Sequence, residues 1–145
     1  MKSSYLKIIH FLVITILVSI IICCSNKDKG PSILLENEIQ LTSQAQSYLM
    51  TINAEKWWWT QIEEGGKIIS IPDPENKDLK VKPEIYDDIG EISGFEYKWI
   101  NAAKKNECEI EIVVNENKSL YTRSMKIYIS IGNRGASFIV NQKGN

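Results

Sequence analysis

Between Glu107 and Asn145 the chain alternates polar and apolar residues with a period of two, and this restricts its fold more than any other feature. Cys108, Ile110, Ile112 and Val114 fall on one face against Glu107, Glu109, Glu111 and Val113. Met125, Ile127, Ile129 and Ile131 do the same against Ser124, Lys126, Tyr128 and Ser130. Successive side chains leave an extended backbone on opposite sides, so each run reads as a half-buried β-strand. Gly132 to Gly135 offers positive-φ residues for a tight reversal, after which Ala136, Phe138 and Val140 begin another run. The pattern predicts a terminal β-meander with one apolar face. The rest of the chain is β-prone and must cover that face, so two packed sheets are expected.

A chain of 145 residues has room for one ordinary domain, and 43% hydrophobic content is enough for a core. No basic run with interleaved aromatics is present, which argues against nucleic acid as a partner. The only histidine is His10, inside an apolar N-terminal stretch. If that stretch is removed, Ser-His-Asp and Cys-His catalysis and histidine-containing zinc sites are excluded by residue type.

Residues 1–23 are expected to be a lipoprotein signal peptide. Lys2 and Lys7 supply a positive start, and the apolar stretch from Ile8 to Ile22 falls short of the roughly 20 residues a membrane span needs. Cys23 and Cys24 follow and look like a bacterial lipobox, although Ile21 and Ile22 stand where small residues are usual. Cys24, preceded by the small Cys23, is the expected lipidation site. Its acyl chains would anchor the protein to a membrane at about 0.8 kcal/mol per buried methylene. Residues 24–32 read as a lipidated flexible tether and 33–145 as the folded domain. Without Lys2 and Lys7, 15 of the 17 basic residues remain against 18 acidic ones, a net charge of −3. Electrostatic attraction to an anionic membrane is then not expected.

Along the domain, Ile39–Leu41 and Tyr48–Ile52 are strand candidates. They are followed by Trp57, Trp58 and Trp59, of which the first and third would share one face of a strand and the second the other. Both faces of an outer-layer sheet cannot enter one core, so at least one indole is expected to be partly exposed. Core packing and a ligand platform are the competing readings of these indoles. Glu63 to Gly66 reads as a turn and Lys67–Ile71 as a short strand. Pro72 to Gly94 reads as a long loop carrying Asp73, Asp78, Tyr86, Asp87, Asp88 and Glu91, with an edge strand at Leu79–Val81. Its acids are solvated loop residues or oxygen donors to calcium, and they lack EF-hand spacing. Phe95, Tyr97 and Trp99 alternate as the core face of one further strand, and Ala102 to Glu107 reads as a polar link. Cys108, on an apolar face, is expected to be buried and inert. Asn117 is read as a turn residue. No cofactor or metal is expected.

The order of these features resembles that of a BACON domain: the Trp57–Trp59 cluster, Trp99, an Asn-rich turn at Asn115 and Asn117, Arg123 opening a strand, then Gln142-Lys143-Gly144. BACON domains are immunoglobulin-like β-sandwich modules of bacterial surface lipoproteins and glycan-degrading enzymes. The resemblance implies an immunoglobulin-like sandwich of about seven or eight strands and a non-catalytic, carbohydrate-binding lipoprotein at the outer membrane, facing the periplasm or the cell exterior. Trp57, Trp58, Trp59, Tyr86, Asp87 and Asp88 are its candidate contacts with a polysaccharide or mucin glycan. The alternative is a structural spacer or a subunit of a surface protein complex. Arg123 and Gln142 are read as structural residues that satisfy backbone groups at strand ends.

Overall fold

A computed structural model of the protein describes residues 33–34, 36–54, 56–83 and 92–145. The signal segment, the tether with Cys24, and the loop residues Tyr86, Asp87, Asp88 and Glu91 lie outside the described residues.

The described chain is all β. Ten strands follow one another: β1 Glu38–Leu41, β2 Gln46–Thr51, β3 Trp58–Glu64, β4 Lys67–Ser70, β5 Leu79–Pro83, β6 Ile92–Tyr97, β7 Ile100–Asn106, β8 Glu109–Val114, β9 Arg123–Ile131 and β10 Arg134–Gln142. They form two five-stranded sheets, ordered β1-β10-β9-β3-β4 and β2-β8-β7-β6-β5. All pairings are antiparallel except that of β1 with β10. A first strand lying parallel to the last, with the chain passing repeatedly between the sheets, makes an immunoglobulin-like sandwich.

The alternating runs bury most of the residues that the period picks out, with Ile131 and Ala136 only partly covered. Met125, Ile127 and Ile129 from β9, Phe138 and Val140 from β10, and Ile110, Ile112 and Val114 from β8 are all fully buried. The sheets meet where Trp59 of β3 packs edge-on against Phe95 of β6, with ring centroids 5.2 Å apart. The core runs from Leu34 to Val140, so residues 33–145 bury an apolar interior of their own.

Several sequence expectations need correction. The chain does not end in a meander: β8 pairs with β2 and β7, whereas β9 and β10 lie in the other sheet. Alternation fixes which side of a strand is buried, and both sheets bury a side in the same core. The strands also exceed seven or eight. Gly94 to Asn101 is not one strand but the end of β6, a reversal at Lys98 and Trp99, and the start of β7. Lys98 adopts a positive φ of 49°, uncommon outside glycine, and nothing in its side chain announces this. The supposed polar link from Ala102 onward is most of β7, with Ala102 buried against the core. Cys108 is exposed, because it sits in the β7–β8 turn where the Asn106 side chain accepts its backbone N–H at 2.8 Å. In the glycine-flanked reversal, Gly132 takes φ 58° and Gly135 already belongs to β10.

The pole that holds the C-terminus is closed by polar side chains. Gln142 is fully buried; its Nε2 donates to the carbonyls of Asn115 (2.9 Å), Gln44 (3.1 Å) and Ser43 (3.3 Å), and its Oε1 accepts Arg123 Nε at 2.9 Å. Arg123 also donates to Asn115 O at 2.6 Å and lies over the Trp99 ring, 4.6 Å from its centroid. Burial pushes its guanidinium below the ordinary pKa, and Glu64 opposes that shift. Trp99 Nε1 in turn donates to Glu64 at 2.9 Å. Arg123 and Gln142 thus have the backbone-satisfying role expected of them. Asn117 is more than a turn residue: it is buried, donates to Tyr121 O and Lys143 O at 2.9 Å each, and accepts the Ser119 hydroxyl at 2.8 Å.

Candidate functional site

The three consecutive indoles divide as an extended backbone requires. Trp57 and Trp59 point inward and are 2% and 3% exposed, while Trp58 points outward and is 42% exposed. The inner pair pack edge to face with centroids 4.9 Å apart. Trp57 Nε1 donates to Glu107 O at 2.8 Å, which fastens the start of β3 to the β7–β8 turn. Trp59 Nε1 is buried with no hydrogen-bond partner. A buried donor without a partner costs roughly 1–3 kcal/mol. Trp59→Phe, which removes that donor, is therefore expected to destabilise the domain by about 1 kcal/mol less than Trp57→Phe, which leaves Glu107 O unpaired. Paired urea melts of the two variants measure the difference, and equal losses would show that the orphan N–H carries no penalty.

Core packing is thus the role of two of the indoles, and Trp58 alone is available to a ligand. It stands opposite Ser130 on β9. Around it Asn53, Ala54 and Lys56 from the β2–β3 connection, Cys108 from the β7–β8 turn, and Ile131, Gly132 and Arg134 from the β9–β10 hairpin line an open depression of about 880 Å³. A second depression of about 340 Å³ lies on β3, β9 and β10, over Thr60, Tyr128, Ser130, Gly135 and Ser137, and includes the residue opposite Trp58. Gly135 stands opposite Ser130, and Ser137 opposite Tyr128. The Tyr128 hydroxyl donates to Glu63 at 2.7 Å.

These surroundings suit binding by stacking. An indole offers an apolar face on which the C–H face of a sugar ring packs with little desolvation, and the border supplies amide, hydroxyl and cationic groups. The described lining contains no carboxylate pair of the kind glycoside hydrolysis uses. Among the described residues no three His, Cys, Asp or Glu side chains are grouped to hold a metal ion. Asp73 and Asp78 belong to local turns: Asp73 accepts the Glu75 N–H at 3.1 Å, and the Asp78 N–H donates to Asn76 at 3.1 Å. Pro83 and Ile92, which flank the loop of Tyr86, Asp87 and Asp88, face each other at the Cys108 end of their sheet.

Sequence reasoning missed Asn53, Lys56, Ser130 and Arg134 as neighbours of Trp58. Lys56 and Arg134 carried a faint signal, one just before the Trp cluster and the other beside a glycine turn. Ser130 carried none, because its place beside Trp58 is set by the β3–β9 register, which includes an irregularity between Trp59 and Gln61.

No protein-family model and no curated protein matches the chain. It is similar in structure to a protein from Bacteroides thetaiotaomicron solved by NMR, at 21% identity and a TM-score of 0.52, over 81% of this chain and 85% of that one. At that identity the likeness speaks for the shared fold alone. It is also similar to an endo-fucoidan hydrolase of glycoside hydrolase family 107, at 13% identity and a TM-score of 0.42, over 83% of this chain and 14% of the hydrolase.

Proposed function

We propose that the chain is a non-catalytic, glycan-binding lipoprotein of the BACON type, anchored in the outer membrane through Cys24, with Trp58 as the platform on which a sugar ring stacks. The observation that carries this reading is a large aromatic side chain left 42% exposed, at the edge of an open depression, between two indoles that the core takes in. Trp58 lies outside the core on the outer face of its sheet, and exposed aromatics bordered by hydrogen-bonding groups suit carbohydrate.

The test is a glycan-array screen of residues 25–145, repeated with Trp58→Ala. Binding is expected to fall at least ten-fold in the variant, about 1.4 kcal/mol, with the melting temperature nearly unchanged because the side chain is outside the core. Binding that survives the substitution removes Trp58 from the proposal.

A second reading, a protein-interaction module, is favoured by one separate feature. Leu120 and Tyr121 are 81% and 80% exposed at the opposite pole. Asn117 and Ser119 hold Tyr121 O at 2.9 Å each, so the loop presents two apolar side chains on a fixed backbone. Preorganised apolar residues of this kind reduce the ordering cost of a protein contact.

A further inference from the structure

The border of the Trp58 depression has a charge character. Of the described residues that line it, Lys56 and Arg134 are cationic and none is acidic. Both side chains are exposed, and among the described residues neither has a carboxylate within ion-pair distance. Four other lysines are ion-paired, Lys80 with Glu96 at 3.5 Å, Lys98 with Glu64 at 2.5 Å, Lys105 with Glu111 at 3.2 Å and Lys118 with Glu116 at 3.7 Å, and what distinguishes Lys56 and Arg134 is that both border the depression beside Trp58. Two cations, Lys56 from the β2–β3 connection and Arg134 at the start of β10, therefore border the depression beside one exposed indole, in a chain whose formal net charge is −1.

The depression over Thr60, Ser130 and Ser137 continues the same surface across β3, β9 and β10. Gly135 leaves its floor open, and the hydroxyls provide donors and acceptors without charge. A ligand stacked on Trp58 thus meets positive charge at the pole and a neutral hydroxyl floor along the sheet.

We infer that the ligand is an acidic polysaccharide, one bearing sulfate or uronate groups, with a ring on Trp58, an acid group between Lys56 and Arg134, and neighbouring sugars over the hydroxyl floor. The inference rests on the glycan reading above and adds the class of sugar. Arg134 suits this role because a planar guanidinium can pair with sulfate or carboxylate through two hydrogen bonds. The acid recognised is one carried by the chain itself, so a neutral polymer of the same backbone loses the charged contacts and keeps only the stacking.

The test compares retention of residues 25–145 on dextran sulfate, polygalacturonate and uncharged dextran at about 0.15 M salt, where long-range attraction is largely screened. Wild-type protein is expected to bind at least one acidic polymer ten-fold or more tightly than dextran. Lys56→Gln with Arg134→Gln is expected to abolish that preference, Trp58→Ala to weaken binding to every polymer, and Lys143→Gln, at the opposite pole, to change nothing. These side chains are exposed, and near-ultraviolet circular dichroism checks that each variant keeps its fold.

Equal binding to dextran and the acidic polymers, lost in Trp58→Ala, overturns the acidic class and leaves the glycan reading standing. The same follows if the acidic preference survives loss of both cations. Failure to bind any of the three overturns the acidic class, and the array screen then decides the glycan reading. Acidic binding indifferent to Trp58→Ala is ion exchange elsewhere on the surface and overturns both.

Discussion

Replacing Gln142 with leucine is expected to cost the domain about 3–4 kcal/mol, although the new side chain nearly matches the old in volume. The loss comes from hydrogen bonding. Gln142 is fully buried and serves three backbone carbonyls and the Arg123 guanidinium. Two of those carbonyls, at Ser43 and Gln44, belong to the connection from β1 to β2, and the third, at Asn115, opens the connection from β8 to β9. Both connections pass from one sheet to the other, so a single amide fastens two crossovers to the last strand. Leucine would leave these groups in an apolar setting at about 1–3 kcal/mol for each one that relaxation cannot re-pair. Asn115 O keeps its bond from Arg123, which limits the total. Urea denaturation with the slope held common to both proteins measures the difference. A loss under about 1 kcal/mol would mean that water enters and replaces the amide.

Gly94→Ala is expected to be nearly as damaging, at about 3 kcal/mol, the upper end of what overpacking a well-filled interior costs. A Cβ at this position would lie 2.4 Å from Ala102 O and 2.9 Å from Ala103 Cα. Both atoms are backbone of β7, which is paired on its other side with β8, so no flexible side chain can give way. The strand would have to leave its partner where Phe95 meets Trp59 between the sheets. Gly135→Ala is the control: its Cβ would meet only Ile129 O, at 3.8 Å, and a change within about 0.5 kcal/mol is expected. Thermal melts of both variants test the contrast, and equal tolerance would show that β6 and β7 can part locally at little cost.

These two residues mark the limit of what could be read from the chain. Gln142 was legible as a structural residue at a strand end, but the two loops it holds were not, since Ser43, Gln44 and Asn115 approach it from distant parts of the sequence. Gly94 looked like one more glycine at the edge of a loop. Its necessity comes from the closeness of β7, whose existence the polar stretch after Ala102 concealed.

The candidate site divides in the same way. Extended-chain geometry was enough to put Trp58 on the face opposite Trp57 and Trp59, because the period of two is local and survives in any sheet. Which face would be covered, and what would surround the exposed ring, were not local matters. Asn53, Lys56, Cys108 and Arg134 reach Trp58 from three separate connections, and only the packing of one sheet on the other brings those connections to one pole.

By itself the sequence determined the class of the fold, the position of most strands, the buried side of most of them and the opposed facing of Trp58 against Trp57 and Trp59, all consequences of backbone alternation and the cost of exposing apolar side chains. The tertiary structure decided how the strands pair, that β8 and β9 lie in different sheets, that Cys108 is exposed, and that two cations border the depression beside the indole. Those outcomes depend on contacts between residues far apart in the chain, whose energies are set only when the sheets come together.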